Sequence, residues 1–457
     1  MNIRKFKNAF NGLSSDSIFL IFVRVVTIIL GLAITRLLSQ HFSVFDYGTY
    51  SQITLIVSSI SSITILGMMD GVNFFFCKEQ NIEKRNSYVS TIFSLQYVLN
   101  IIVAIVVLCC AVPVSRYFGN EALKSLLIFA AVLPVLQNSI SILQILFVAI
   151  GKAKLIAVRN FVVSAIRLVF VYIACYLFDS IVVILISTVL LDILQIIYFL
   201  VVLRKNDCKI NLFRFDGKLV REILAYCIPM AMFTIVSSLN RDCDKYVISA
   251  FTDTENLAIY TNASKVLPFD IIMASFCTVI LPHLTRFISK RQFEKVNGLY
   301  KSFLEIAYVS TTILAVGALC VPSELMTLLY TDKYLAGLNV FVVYILVDIV
   351  RFLGVTMILS ALGKTKTILF VSIGTLALNC VLNIPMYLLF GNVGPAIATL
   401  IVTLLNGLVL TYLSAKNTNT SVFKFFDCKY LAVFLMECVV VVGIGILMEK
   451  ICSHFNF

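Results

Sequence analysis

Thirteen apolar runs, each long enough to cross a bilayer, follow one another through 457 residues and leave little room for any other architecture. A spanning helix takes about 20 apolar residues. The runs fall at roughly 17–38, 49–69, 88–112, 123–148, 155–177, 179–203, 222–250, 257–284, 301–320, 335–360, 367–389, 394–413 and 429–447. Soluble domains carry about 25% charged residues, whereas this chain has 13%, with 60% apolar. A soluble protein of that make-up could not cover its surface with polar groups. The expectation is an all-α polytopic membrane protein with 12–14 transmembrane helices, thirteen by count. The first run exceeds the about 7–15 residues of a signal-peptide core, so it reads as a retained helix.

The net charge is +12. In a soluble protein this excess would invite a nucleic-acid partner. Here 25 of the 36 Lys and Arg fall in alternate short connections, such as Lys152, Lys154 and Arg159, and only 5 fall on the opposite side. That is the positive-inside pattern. It places the N-terminus in the cytoplasm and gives no reason to expect nucleic acid. Thirteen spans put the C-terminus outside; twelve or fourteen return it inside. The longest connection, 204–221, divides the chain into a six-helix bundle (1–203), a cytoplasmic linker, a second six-helix bundle (222–413) and a tail (414–457) with an extra span.

Two echoes support duplication. Ala149-Ile150-Gly151-Lys152-Ala153-Lys154 closes the fourth run, and Ala361-Leu362-Gly363-Lys364-Thr365-Lys366 closes the tenth, 212 positions on. Gly48-Thr49-Tyr50-Ser51 is matched by Ala258-Ile259-Tyr260-Thr261, 210 positions on. A six-helix repeat enters the membrane twice in the same sense. A substrate site between such halves is a transporter pattern, so the expected fold is two bundles around a central cavity.

Six basic residues lie inside the runs: Arg24, Arg167, Arg241, Lys245, Lys265 and Arg351. A charge at mid-bilayer costs at least about 2.5–3.5 kcal/mol on insertion scales. One reading is a cationic cavity for an anionic head group such as a pyrophosphate, which the planar donor fork of Arg fits well. The other is internal ion pairing, since Asp348 and Arg351, Arg241 and Asp244, and Asp242 and Lys245 are each three apart on a helix. Asp192 and Asp348 are candidates for coupling to a proton or sodium gradient. Asn379 and Asn383 form a polar stripe suited to helix–helix hydrogen bonds or to substrate contact.

Thirteen cysteines and three histidines show no metal-ligand spacing, so no metal or other cofactor is expected. Gly363-Lys364-Thr365 ends like a phosphate-binding loop, but Ile358 stands where its first glycine belongs. No connection is long enough for an ATPase or glycosyltransferase domain, so the chain is expected not to be an enzyme.

Several segments resemble bacterial polysaccharide flippases of the multidrug/oligosaccharidyl-lipid/polysaccharide exporter superfamily. They are Phe45-Asp46-Tyr47-Gly48-Thr49-Tyr50, Gly67 to Asn73, Asp244-Lys245 with Ala258-Ile259-Tyr260, and the two Gly-Lys-x-Lys segments. The resemblance implies two six-helix bundles that rock in alternating access in a bacterial inner membrane. It implies undecaprenyl-pyrophosphate-linked oligosaccharide as substrate, moved to the outer leaflet for O-antigen, capsule or exopolysaccharide assembly. The partners expected are that lipid-linked glycan, membrane lipids, a polysaccharide polymerase and other assembly proteins. The rival readings are an ion-coupled multidrug antiporter or a lipid II flippase of the same superfamily and, from another class, a membrane polysaccharide polymerase or ligase.

Overall fold

A computed structural model of the protein describes residues 15–79, 81–204, 216–265, 267, 269, 271–426, 433–434 and 436–444. Among these residues every regular element is helical. Ten segments are long and apolar enough to cross a membrane, and Thr365–Asn417 contains two helices in succession. The chain is therefore a multi-pass membrane protein. The expected thirteenth run, 429–447, lies partly outside the described residues; 433–434 and 436–444 are helical.

The chain forms two compact units, Met1–Ser238 and Leu239–Phe457. The first holds α1 (Ser15–His41), α2 (Val44–Thr64), α3 (Met68–Lys78), α4 (Ile82–Cys109), α5 (Ala111–Tyr117), α6 (Leu123–Ala149), α7 (Ala153–Ile173) and α8 (Ile181–Arg204). It also takes the first part of α9 (Gly217–Phe251). In this unit α6 packs against α2, α3, α4 and α8, and its Leu127, Ile142, Leu146 and Phe147 are fully buried. The second unit holds the rest of α9, then α10 (Thr254–Ala263), α11 (Ile271–Ser289), α12 (Phe293–Cys320) and α13 (Pro322–Leu329). It continues through α14 (Leu338–Val350), α15 (Met357–Ala361), α16 (Thr365–Phe390) and α17 (Gly394–Asn417). There α17 packs on both α14 and α16.

The division falls inside α9, later than the expected linker at 204–221, most of which lies outside the described residues. The reason is close packing of the early part of α9 on the first unit. A Cβ on Gly67 would sit 2.5 Å from the Cys227 carbonyl oxygen, and one on Gly71 would sit 2.6 Å from Cys227 Sγ. Tyr88 of α4 also donates to Glu222 at 2.7 Å.

The echoes in the sequence are repeated helix ends. α2 and α10 begin 210 residues apart, at 44 and 254. Their N-caps do the same work: Ser43 Oγ accepts from the Asp46 N–H, and Asp253 Oδ1 accepts from the Asn256 N–H. The two Gly-Lys segments are paired C-terminal caps. Gly151 and Gly363 hold φ of 77° and 70°. The Lys152 and Lys364 N–H groups reach back five residues to the Phe147 and Leu359 carbonyls, both at 2.9 Å. This is a Schellman closure, which glycine enters without the Cβ penalty.

Three expected runs carry a break that a side chain from another helix braces. The run 49–69 breaks at 65–67, where Leu66 and Gly67 take φ of 46° and 65°. The run 257–284 breaks between α10 and α11, where the sequence carries Pro268 and helices tend to end before proline. The run 335–360 breaks after Val350, where Arg351–Gly354 is a 3-10 turn and Val355 is extended. A break frees backbone polar groups that lipid cannot satisfy. Each is braced from another helix. Gln96 Nε2 donates to the Thr64 carbonyl at 2.8 Å. Asp348 Oδ2 accepts from the Leu267 N–H at 3.3 Å. Thr411 Oγ1 donates to the Leu353 carbonyl at 3.4 Å.

Gly67→Ala and Gly151→Ala separate conformation from packing. Both impose a left-handed backbone on alanine, at about 1–2 kcal/mol, but nothing lies within 4 Å of a Cβ at Gly151. Thermal unfolding in detergent should show the clearly larger loss for Gly67→Ala. Equal losses would mean that the approach to α9 carries no weight.

Candidate functional site

The intramembrane charges fall into separate groups within each unit. In the first unit, Arg167 on α7 meets Asp192 on α8, with Nη2 3.4 Å from Oδ1. Gln195, one turn along α8, donates from Nε2 to Asp192 Oδ1 at 3.0 Å. Arg159 Nη1 donates to Gln195 Oε1, and the Arg159 guanidinium stacks 4.7 Å from the Phe199 ring centroid. Arg159, counted with the loops in the sequence, is thus a buried residue six positions inside α7. Arg24 is exposed on α1.

In the second unit, α9 carries two carboxylates with different roles. Asp242 holds Lys245 at 2.6 Å and its neighbour Arg241 at 3.8 Å. The expected Asp242–Lys245 pairing forms; the expected Arg241–Asp244 pairing does not. Residues two apart on a helix point to nearly opposite sides, so Asp244 faces away from Asp242, and its carboxylate is taken up by two tyrosines instead of Arg241. It is buried, and both Tyr260 (2.8 Å) and Tyr344 donate hydroxyl hydrogens to its Oδ2. Arg351 opens the 3-10 turn and meets Asp348 at 3.4 Å. Lys265 sits in the break after α10, exposed and within electrostatic reach of Lys245. Asn379 Nδ2 donates to the Asn240 carbonyl and side chain at 3.2 and 3.1 Å. Asn383 Nδ2 donates to Cys243 Sγ at 3.5 Å. Both asparagines of α16 therefore make helix–helix bonds to α9.

Four of the six basic candidates thus pair with a carboxylate, yet Arg167, Arg241 and Arg351 keep 39%, 62% and 33% of their side chains exposed. The pairs therefore leave part of each of these guanidinium side chains exposed. Sequence reasoning missed Arg159, Gln195, Tyr260 and Tyr344 as members of polar groups, and gave Asp244 the partner Arg241 in place of the two tyrosines. For Arg159 the signal was present: Gly151 caps the preceding helix, so a residue eight positions later is already within the next one.

A protein-family model described as "Polysaccharide biosynthesis protein" matches residues 13–288. The chain belongs to this family. Among curated proteins no sequence match is found. Solved structures share the fold across nearly the whole chain. One is "Lipid II flippase MurJ, inward closed conformation", with a TM-score of 0.75 and 17% identity over 96% of this chain and 98% of that one. A multidrug resistance MATE family transporter of the MOP superfamily, inward-facing, gives 0.71 and 15% over 86% and 96%. A MOP superfamily transporter from Pyrococcus furiosus, described as having a binding pocket of reverse polarity, gives 0.59 and 14% over 88% and 94%. The fold is that of MurJ-like and MATE-like transporters.

The Asp244 cluster makes a testable unit. Asp244→Ala strands two buried hydroxyls, each costing about 1–3 kcal/mol when left without an acceptor. Tyr260→Phe and Tyr344→Phe should destabilise the wild-type protein but cost little in the Asp244→Ala background. Fully additive losses in thermal unfolding would show that the three do not act together.

Proposed function

We propose that the protein is a flippase for undecaprenyl-pyrophosphate-linked oligosaccharide repeat units. It would carry them from the inner to the outer leaflet of a bacterial cytoplasmic membrane for O-antigen, capsule or exopolysaccharide assembly. The observation that carries this reading is that Arg167 and Arg351, each paired with a carboxylate within the apolar runs, keep 39% and 33% of their side chains exposed. A cation paired once pays part of its insertion cost internally and keeps capacity for a phosphate oxygen. The family supports polysaccharide assembly, and the MurJ-like fold supports lipid-linked cargo. Arg24, Arg167, Arg241, Lys245, Lys265 and Arg351 are the proposed head-group contacts, exposed alternately to the two leaflets. Asp192 and Asp348 are the proposed points of coupling to a proton or sodium gradient. A polymerase and other assembly proteins are the proposed partners, and the N-terminus is assigned to the cytoplasm from the basic connections.

The test follows lipid-linked glycan in cells lacking the protein, using a probe that cannot cross the membrane. Complete units should accumulate on the inner side and be released by the wild-type gene. Arg167→Ala and Arg351→Ala should lower release at least tenfold while inserting normally, and normal release by both removes them from the site. Complete but unpolymerised units on the outer side would point to a polymerase or ligase instead. The MurJ likeness keeps lipid II as a second cargo, for which loss of the gene should be lethal rather than tolerated.

A further inference from the structure

Arg159 has an arrangement that the ion pairs do not explain. It is 9% exposed. One face of its guanidinium lies against Phe199, and Nη1 is spent on Gln195. Its Nε and Nη2 have no hydrogen-bond partner. Those two N–H groups form one edge of the guanidinium, the edge that grips carboxylate or phosphate oxygens two at a time. Stacking and the Gln195 bond hold that edge in place. Leaving it empty and buried is costly.

The same helix pair carries a second open position. Arg167 Nε is also without a partner, as is Asp192 Oδ2. Two arginines facing one aspartate leave an excess of one positive charge. Arg159 lies about 9 Å along α7 from its first residue and Arg167 about 21 Å, at 1.5 Å per residue. The basic connection at Lys152 and Lys154 assigns that first residue to the cytoplasmic side. The polar chain Arg159–Gln195–Asp192–Arg167 therefore runs from near that surface into the apolar span. The outer face of α7 is lipid-like, with Phe161, Val162, Ile166 and Val169 exposed.

We propose that α7 and α8 of the first unit form a phosphate-oxyanion site. The Nε/Nη2 edge of Arg159 is its shallow rung and Arg167 its deeper one. Asp192 sets the net charge, and Gln195 ties the rungs together. The ligand is the phosphate head of a lipid, because the site is lined up along a membrane helix. The proposal rests on the flippase reading only for the source of that lipid. A structural ion network predicts the opposite response to removal of the acid: Asp192→Asn should then weaken the site, whereas an anion site should gain from it.

The test uses full-length protein in a maltoside detergent free of phospholipid, with farnesyl pyrophosphate as probe. Farnesol and inorganic pyrophosphate serve as comparisons, and binding is read by native mass spectrometry. The wild type should retain the pyrophosphate lipid and ignore farnesol. Arg159→Gln should weaken retention about tenfold, Arg159→Lys less, and Asp192→Asn should strengthen it several-fold. Arg159→Lys keeps the charge and Asp192→Asn keeps the size, so both report even if Arg159→Gln misfolds. No retention by the wild type, unchanged retention by the Arg159 variants, or weaker retention by Asp192→Asn overturns the site. Equal competition by inorganic pyrophosphate overturns the lipid assignment. A wild type that binds the probe but leaves glycan in the inner leaflet keeps the site and fails the flippase reading. Normal translocation with unchanged binding in Arg159→Gln fails the site alone.

Discussion

A backbone N–H or C=O that loses its helical partner inside a bilayer has no water to turn to. The architecture of this chain follows from meeting that demand at three interrupted helices. Thr64, Leu267 and Leu353 each present a freed backbone group, and Gln96, Asp348 and Thr411 each supply the missing partner from a distant helix. The first brace belongs to a larger buried knot. Asn138 Nδ2 donates to Thr64 Oγ1 at 2.7 Å, and Asn100 Oδ1 accepts from Gln96 and Asn138 at 3.3 and 3.4 Å. Polar residues that hydropathy treats as blemishes are what permit the breaks.

The braces also explain why charge is tolerated where it is. Asp348 serves a backbone N–H with one oxygen and Arg351 with the other. Arg351 in turn lies at the start of the non-helical stretch, so a break, its brace and a partly exposed cation occupy one place. In the first unit the helices α7 and α8 are unbroken, and charge is carried by a side-chain chain instead. The two units reach a similar chemistry by different local means.

Much of the architecture was legible because it depends on local pattern. The apolar runs, the alternate basic connections and the Gly-Lys helix ends each follow from residues close together in the sequence. The breaks were not legible, since Leu66 and Gly67 take their backbone conformation partly from contact with Cys227, some 160 residues on. Hydropathy averages over such a kink. The polar groups were half legible. Asp242–Lys245 and Asp348–Arg351 follow from spacing on one helix. Arg167–Asp192 and Asp244 with its two tyrosines join different helices, and no spacing rule reaches them. Arg159 was misplaced for a simpler reason: a basic residue near a loop was counted with the loop.

The span between a break and its brace has a consequence in time. Gln96 follows Thr64 by 32 residues, whereas Asp348 lies 81 residues from Leu267. At a synthesis rate of about 5–20 residues per second, the first brace emerges about 2–6 s after its break and the second about 4–16 s after. During that interval the Leu267 amide must find a temporary acceptor in the translocation channel, in a lipid head group or in a longer transient helix. The second half of the protein therefore waits longest, at its least protected point, for a residue the ribosome has yet to make.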